Sequence, residues 1–116
     1  MITELNFIGI TPFEPSDKFF KELENFFNVQ GRALIVRVAD EYFSQEFKQD
    51  IISISKINKS TVIFNSKNIV KNNLNIHLTS EDLMNFKKKP NRDFLLGASC
   101  HNSIEIEKAN ALGCDY

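Results

Sequence analysis

Cysteine is scarce in this sequence: two residues, Cys100 and Cys114, in 116. They lack metal-ligand spacing and fall, in the strand assignment below, near opposite ends of neighbouring strands. A five-residue strand is about 16 Å long, whereas bridged Cα atoms lie within about 7 Å, so free, reduced thiols are expected. An excess of charge is also missing, since 14 Lys and Arg stand against 15 Asp and Glu for a net charge of -1. That balance leaves no global basic footprint for nucleic acid or an anionic membrane, and neither is an expected partner. Long apolar runs are absent too. Ala33-Leu34-Ile35-Val36 falls far short of the roughly 20 residues of a membrane helix. Met1-Ile2-Thr3-Glu4 has no basic segment followed by an apolar one, as a secretory signal would, so a cytoplasmic setting is expected. There is no glycine-rich dinucleotide or phosphate loop, no HExxH, no GxSxG and no CxxC.

What the sequence does contain is alternation. Short apolar runs at Leu5 to Ile10, Ala33 to Val38, Thr61 to Asn65, Asn75 to Leu78, Phe94 to Ser99 and a stub from Cys114 read as strands buried on both faces. Between them lie helix-period segments, the pattern of a parallel α/β sheet built from βα units. Ser16 to Asn28 places Phe19, Phe20, Leu23, Phe26 and Phe27 on one face, and about Glu41 to Ile57 does the same with Phe43, Phe47, Ile51 and Ile54. Such stripes are the usual inward face of a helix, so most of the eleven phenylalanines are assigned to packing. A short third helix is expected over Ser66 to Asn72. A fourth runs from Ser80 to Lys88, and a fifth from Ser103 to Leu112 before Gly113. The last two carry start signals, Thr79 three residues before Asp82 and Asn102 three before Glu105. The stretch from Lys87 to Arg92 reads as a solvated basic loop, with a phosphate contact as the alternative. Residues 1 to 116 read as a single domain. Five units and the start of a sixth, at about 20 residues each, project to an eight-stranded (β/α)8 TIM barrel cut short. An open flavodoxin-like sheet of about five strands fits the same pattern, and periodicity leaves both open.

In either fold, chemistry gathers where strands end and βα loops begin. The polar residues there are Arg37, Asn65, Thr79 with Ser80 and Asp82, and Ser99 with His101. A guanidinium such as that of Arg37 suits a phosphate or carboxylate, or else an internal ion pair with Asp40. Asn65 suits a heterocycle or a turn. Asp82 is either a Mg2+ ligand or the far end of a Thr79 cap. Ser99 is a hydrogen-bonding candidate and His101 a candidate acid or base, with simple exposure as its alternative. His77, between Ile76 and Leu78, reads as a satisfied buried histidine.

Three segments carry a resemblance: Asn75-Ile76-His77-Leu78-Thr79-Ser80-Glu81-Asp82-Leu83, Leu96-Gly97-Ala98-Ser99-Cys100-His101, and Ala109-Asn110-Ala111-Leu112-Gly113-Cys114-Asp115-Tyr116. They resemble the thiamine phosphate synthase family and its thiazole tautomerase (TenI-type) relatives, whose segments run approximately G-V-H-L-x-x-x-D-L, G-x-S-x-H and A-x-x-L-G-A-D-Y. The wording is most similar to synthase-like domains appended to some bacterial Nudix hydrolases. The resemblance implies a (β/α)8 barrel and coupling of a pyrimidine diphosphate to a thiazole phosphate with Mg2+. It makes Arg37 a diphosphate ligand, Asn65 and Ser99 substrate ligands, Asp82 a metal carboxylate, and His101 the acid and base of the tautomerases. Two positions depart from the pattern. Ala39 stands where the family has a Lys, and Ser66 where it has the first metal Asp, which weakens diphosphate and Mg2+ binding. The thiazole-phosphate loops of the family follow later strands than those present. The resemblance therefore leaves three expectations: a synthase-like domain with impaired catalysis, a tautomerase working through His101, or a ligand-binding or docking domain of a Nudix hydrolase. Open sheet edges add an expectation of self-association.

Overall fold

The structure, a computed structural model, describes residues 7–29, 31–68, 74–87 and 89–116. Its strands are β1 (Phe7–Ile10), β2 (Arg32–Val36), β3 (Thr61–Asn65), β4 (Ile76–Leu78) and β5 (Leu96–Ala98). The helices are α1 (Phe19–Phe27), α2 (Gln45–Ile57), α3 (Ser80–Asn85) and α4 (Ser103–Leu112). Strand and α-helix alternate as expected except between β3 and β4, where the described residues hold only a 3-10 turn, and the sheet order is β1-β2-β3-β4-β5. β1 with β2, β3 with β4, and β4 with β5 pair parallel. Contacts gather into two compact units, one ending at Val62 and one running from Ile63 to Tyr116. Among the described residues no helix is long and apolar enough to cross a membrane.

In the first unit, α1 buries Phe19, Leu23 and Phe27, one residue per turn on a single stripe. It begins three residues after Ser16, because Ser16 is spent on a turn: its hydroxyl accepts from the Lys18 N–H and its carbonyl from the Phe19 N–H. The second helix also starts later than its apolar period suggests. Residues Asp40–Tyr42 form a single 3-10 turn, and Ser44, with extended backbone, accepts from the Phe47 N–H at 3.0 Å to cap α2. Phe47 stacks on Phe19 with ring centroids 5.6 Å apart, so the expected aromatic stripes meet each other. β2 stops at Val36 rather than Val38. There the Thr11 hydroxyl donates to the Arg37 carbonyl and accepts from the Arg37 N–H, which takes the backbone out of the ladder.

In the second unit the caps fall where the sequence places them. Thr79 accepts from the Asp82 N–H at 3.1 Å, and Asn102 from the Glu105 N–H at 2.9 Å. Gly113 ends α4 at φ +72°, a left-handed conformation that glycine adopts without a Cβ penalty. Only Ser66–Asn68 of the expected third helix is helical, as a 3-10 turn, and positions 69–72 lie outside the described residues. Position 88, the expected end of α3, lies outside them as well; α3 ends earlier, at Asn85, because Phe86 turns extended. Leu5 and Asn6 of the first expected strand also lie outside. Leu78, Leu83, Leu96 and Leu112 form the core between strands and helices, with both cysteines packed against it as free thiols. The stub from Cys114 runs beside β5 without a regular ladder: Asp115 donates to the Leu96 carbonyl and Ala98 to the Tyr116 carbonyl. Arg92 fastens it, donating to the Gly113 carbonyl and to the Asp115 carboxylate at 2.8 Å. The expected basic loop thus contributes its arginine to internal structure.

Candidate functional site

Side chains alternate along a strand, so β4 sends Ile76 and Leu78 to the helix-covered core and His77 to the other face. Register then decides what joins it. Asn65 pairs with His77 and His77 with Gly97, which puts all three positions in one row across β3, β4 and β5. His77 Nε2 lies 2.8 Å from Ser99 Oγ, while the Ser99 N–H donates to the Leu78 carbonyl. The Tyr116 ring stacks on the imidazole with centroids 5.6 Å apart and planes inclined by 26°. It rests on Gly97 so closely that a Cβ there would stand 2.2 Å from the ring. Two atoms of this stack, His77 Nδ1 and Tyr116 Oη, are buried without a hydrogen-bond partner. Burial holds the His77 pKa below its ordinary value and raises that of the Tyr116 phenol, helped there by the Asp115 and Cys114 charges. The expectation of a fully satisfied His77 is corrected: one nitrogen is bonded and the other is bare.

Beside this row lies a second network at the start of α3. The Ser66 hydroxyl donates to Asp82 Oδ2 at 2.5 Å and accepts from the Thr79 N–H at 3.1 Å. Asp82 therefore keeps its place in the Thr79 cap and has one carboxylate oxygen already engaged. Asn65 is buried, and its Oδ1 accepts from the Lys67 N–H, the turn-forming bond open to an asparagine after a strand. The donor set at this strand exit is one carboxylate, two hydroxyls and an amide.

The chain matches no protein-family model, no curated protein and no solved structure. Geometry therefore carries the assignment of roles. Among the residues singled out by sequence, Asn65, Asp82 and Ser99 belong to the second unit's strand exits. His101 sits there too, but its side chain is 70% exposed. Glu105 accepts from both its backbone N–H and its Nδ1, which makes the residue part of the α4 start. Arg37, in the first unit, is exposed with its guanidinium 5.2 Å from the Phe13 ring centre, and no ion pair joins it to Asp40. His77 and Tyr116 were the residues sequence reasoning undervalued. The signal was present in Asn75-Ile76-His77-Leu78-Thr79, where polar and apolar residues alternate, and in Gly97 on β5 with Ser99 two residues on, just past the strand's end.

Proposed function

We propose that this chain is a thiamine phosphate synthase/TenI-like domain, the leading part of a (β/α)8 barrel, that binds a phosphorylated pyrimidine or thiazole. The observation that carries the reading is the His77–Ser99 hydrogen bond on the sheet face turned away from the helices, at the strand ends where such folds bind ligands. A strand order that follows the chain supports it further, because successive units of a barrel give that order and a flavodoxin-like sheet reverses it. Mg2+ is the cofactor the resemblance implies, and Asp82 is the residue to hold it. Mg2+ sites use one or two carboxylates with substrate phosphates. Here Ser66 stands in place of the second carboxylate and donates to the first, so the residues do not form the paired site. Among the described residues no group of three or more His, Cys, Asp or Glu gathers to replace it.

Coupling with release of diphosphate is accordingly the weaker chemistry for this chain, and proton transfer of the tautomerase kind, which relies on no metal, is the stronger. In that role the family uses the residue at His101. The test is calorimetric titration of the full chain with a pyrimidine phosphate and a thiazole phosphate, with and without Mg2+. Saturable binding that is insensitive to Mg2+ is expected, together with chemical-shift changes at Asn65, His77 and Ser99. Heat absent for both ligands would remove the reading. Tight binding only with Mg2+ would restore the synthase chemistry.

A further inference from the structure

His101 is poorly placed to carry a proton at this site. Its imidazole is 70% exposed and its Nδ1 is held by Glu105 at the α4 start. His77 has what an acid and base in a ligand site needs: one nitrogen fixed by a partner and the other bare on the same face. We propose that His77, paired with Ser99, carries the proton at this site and that the Tyr116 ring is its cover. The inference rests on the proton-transfer reading above and names the residue that performs it.

Ser99 is the positioning residue. A hydroxyl both donates and accepts, so it serves either neutral tautomer of the imidazole. When Nε2–H donates to Ser99 Oγ, the Nδ1 lone pair is a base. When the Ser99 hydroxyl donates to Nε2, Nδ1 bears the hydrogen and is an acid. In the transfer, Nδ1 accepts a proton from a ring or side-chain carbon of the ligand, leaving the electron pair on the ligand as a conjugated anion. The imidazolium then returns that proton to another atom of the same ligand. Bonds and electrons balance, and the product is an isomer with no co-reactant consumed. Burial favours the neutral imidazole from which this cycle starts, and no charged group among the described residues contributes to that preference.

Tyr116 decides access. Nδ1 and Oη are both closed to solvent and both lack partners, so the stacked arrangement is a closed state that leaves two polar atoms unsatisfied. The ring sits on the smooth surface that Gly97 provides, and any side chain there collides with it. A ligand reaches Nδ1 when the ring leaves Gly97.

Two experiments on the full chain decide the matter. Carbethoxylation by diethyl pyrocarbonate, mapped by mass spectrometry, reads imidazole access without any ligand. His77 is expected to react slowly in the native chain and about tenfold or more faster in Tyr116→Ala and in Gly97→Ala, which removes or displaces the ring by independent routes. An unreactive His77 in both folded variants overturns the cover, and so does a reactive His77 in the native chain. Exchange of thiazole phosphate carbon-bound hydrogen in deuterium oxide, followed by NMR, reads the chemistry. His77→Gln is expected to lose about a hundredfold in exchange rate, the scale of a general acid–base contribution. Ser99→Ala is expected to lose less and to shift the pH profile. A larger loss in His101→Ala than in His77→Gln overturns the assignment to His77. Binding without exchange in the native chain overturns it as well and leaves the binding reading standing, whereas absent binding fails that reading itself.

Discussion

His77 couples its own charge to the stability of the chain. Its folded pKa lies below the ordinary 6.5 because burial penalises the imidazolium. The unfolded chain therefore binds the proton more readily, and stability contributed by the neutral form is complete above about pH 6.5 and declines as pH falls below it. Asp115 has the opposite sense of titration with the same sign of effect. Burial opposes its charge, but hydrogen bonds from Arg92 and the Leu96 N–H outweigh that and lower its pKa, so its contribution fades only below the ordinary 3.8. The His77 window opens near pH 6.5 and the Asp115 window only near pH 3.8, so the first loss of stability on acidification belongs to His77. Between pH 7.5 and 5 the melting temperature of the native chain should fall, and in His77→Gln that dependence should flatten; equal slopes in the two proteins would show that His77 is not the source. Ser66 offers a second residue-level prediction. Ser66→Asp places a second carboxylate against Asp82, which should lower the melting temperature without metal and restore it with Mg2+, as ligand linkage requires. A variant whose melting is indifferent to Mg2+ would show that Asp82 is not placed to share an ion with position 66.

Local chemistry explains which elements could be read from sequence. The start of α4 was legible because Asn102 and Glu105 have the capping spacing and the chain uses it, with Asn102 accepting from the Glu105 N–H and Gly113 closing the other end. Replacing Asn102 by alanine should cost about 1 kcal/mol, the usual loss for an N-cap, measured by urea unfolding; no change would mean that Glu105 alone secures the helix start. The α2 start was less legible, since Phe43 continues the apolar period while Ser44 supplies the cap that begins the helix. Ends of strands were overextended for a similar reason. Apolar character continues to Val38, but the bonds between Thr11 and Arg37 leave the sheet pattern after Val36. At the site, strand-exit logic found Asn65, Asp82 and Ser99. It undervalued His77 because the short alternation from Asn75 to Thr79 does not by itself distinguish a core histidine from one on the opposite face. The Ser66–Asp82 bond spans sixteen positions and depends on how two loops meet, which no local pattern reports.

At the scale of the whole chain, the two ends of the strand order differ. β5 is accompanied by Cys114–Tyr116, which hydrogen-bond it at two backbone points and are fastened by Arg92. Among the described residues β1 is the other terminal strand, with no strand paired to its outer edge, and its Phe7 and Ile10 are 56% and 64% exposed. The Arg32 guanidinium lies over the Phe7 and Phe26 rings, with its carbon 5.3 and 5.1 Å from their centres, and leaves Ile10 bare. An unpaired strand edge with apolar side chains is a template for further pairing, and charge on such an edge blocks it. The chain should therefore self-associate through β1, giving a sedimentation coefficient that rises with concentration. Because the contact is apolar and backbone-mediated, added salt should leave it largely intact, whereas an association built on ion pairs would be screened. Ile10→Lys adds charge at the edge without touching Asn65, His77 or Ser99. It should return the chain to a concentration-independent monomer with its histidine chemistry unchanged. A native chain that sediments as a monomer throughout would mean that β1 has no free edge in solution, and association that survives Ile10→Lys would place the contact elsewhere.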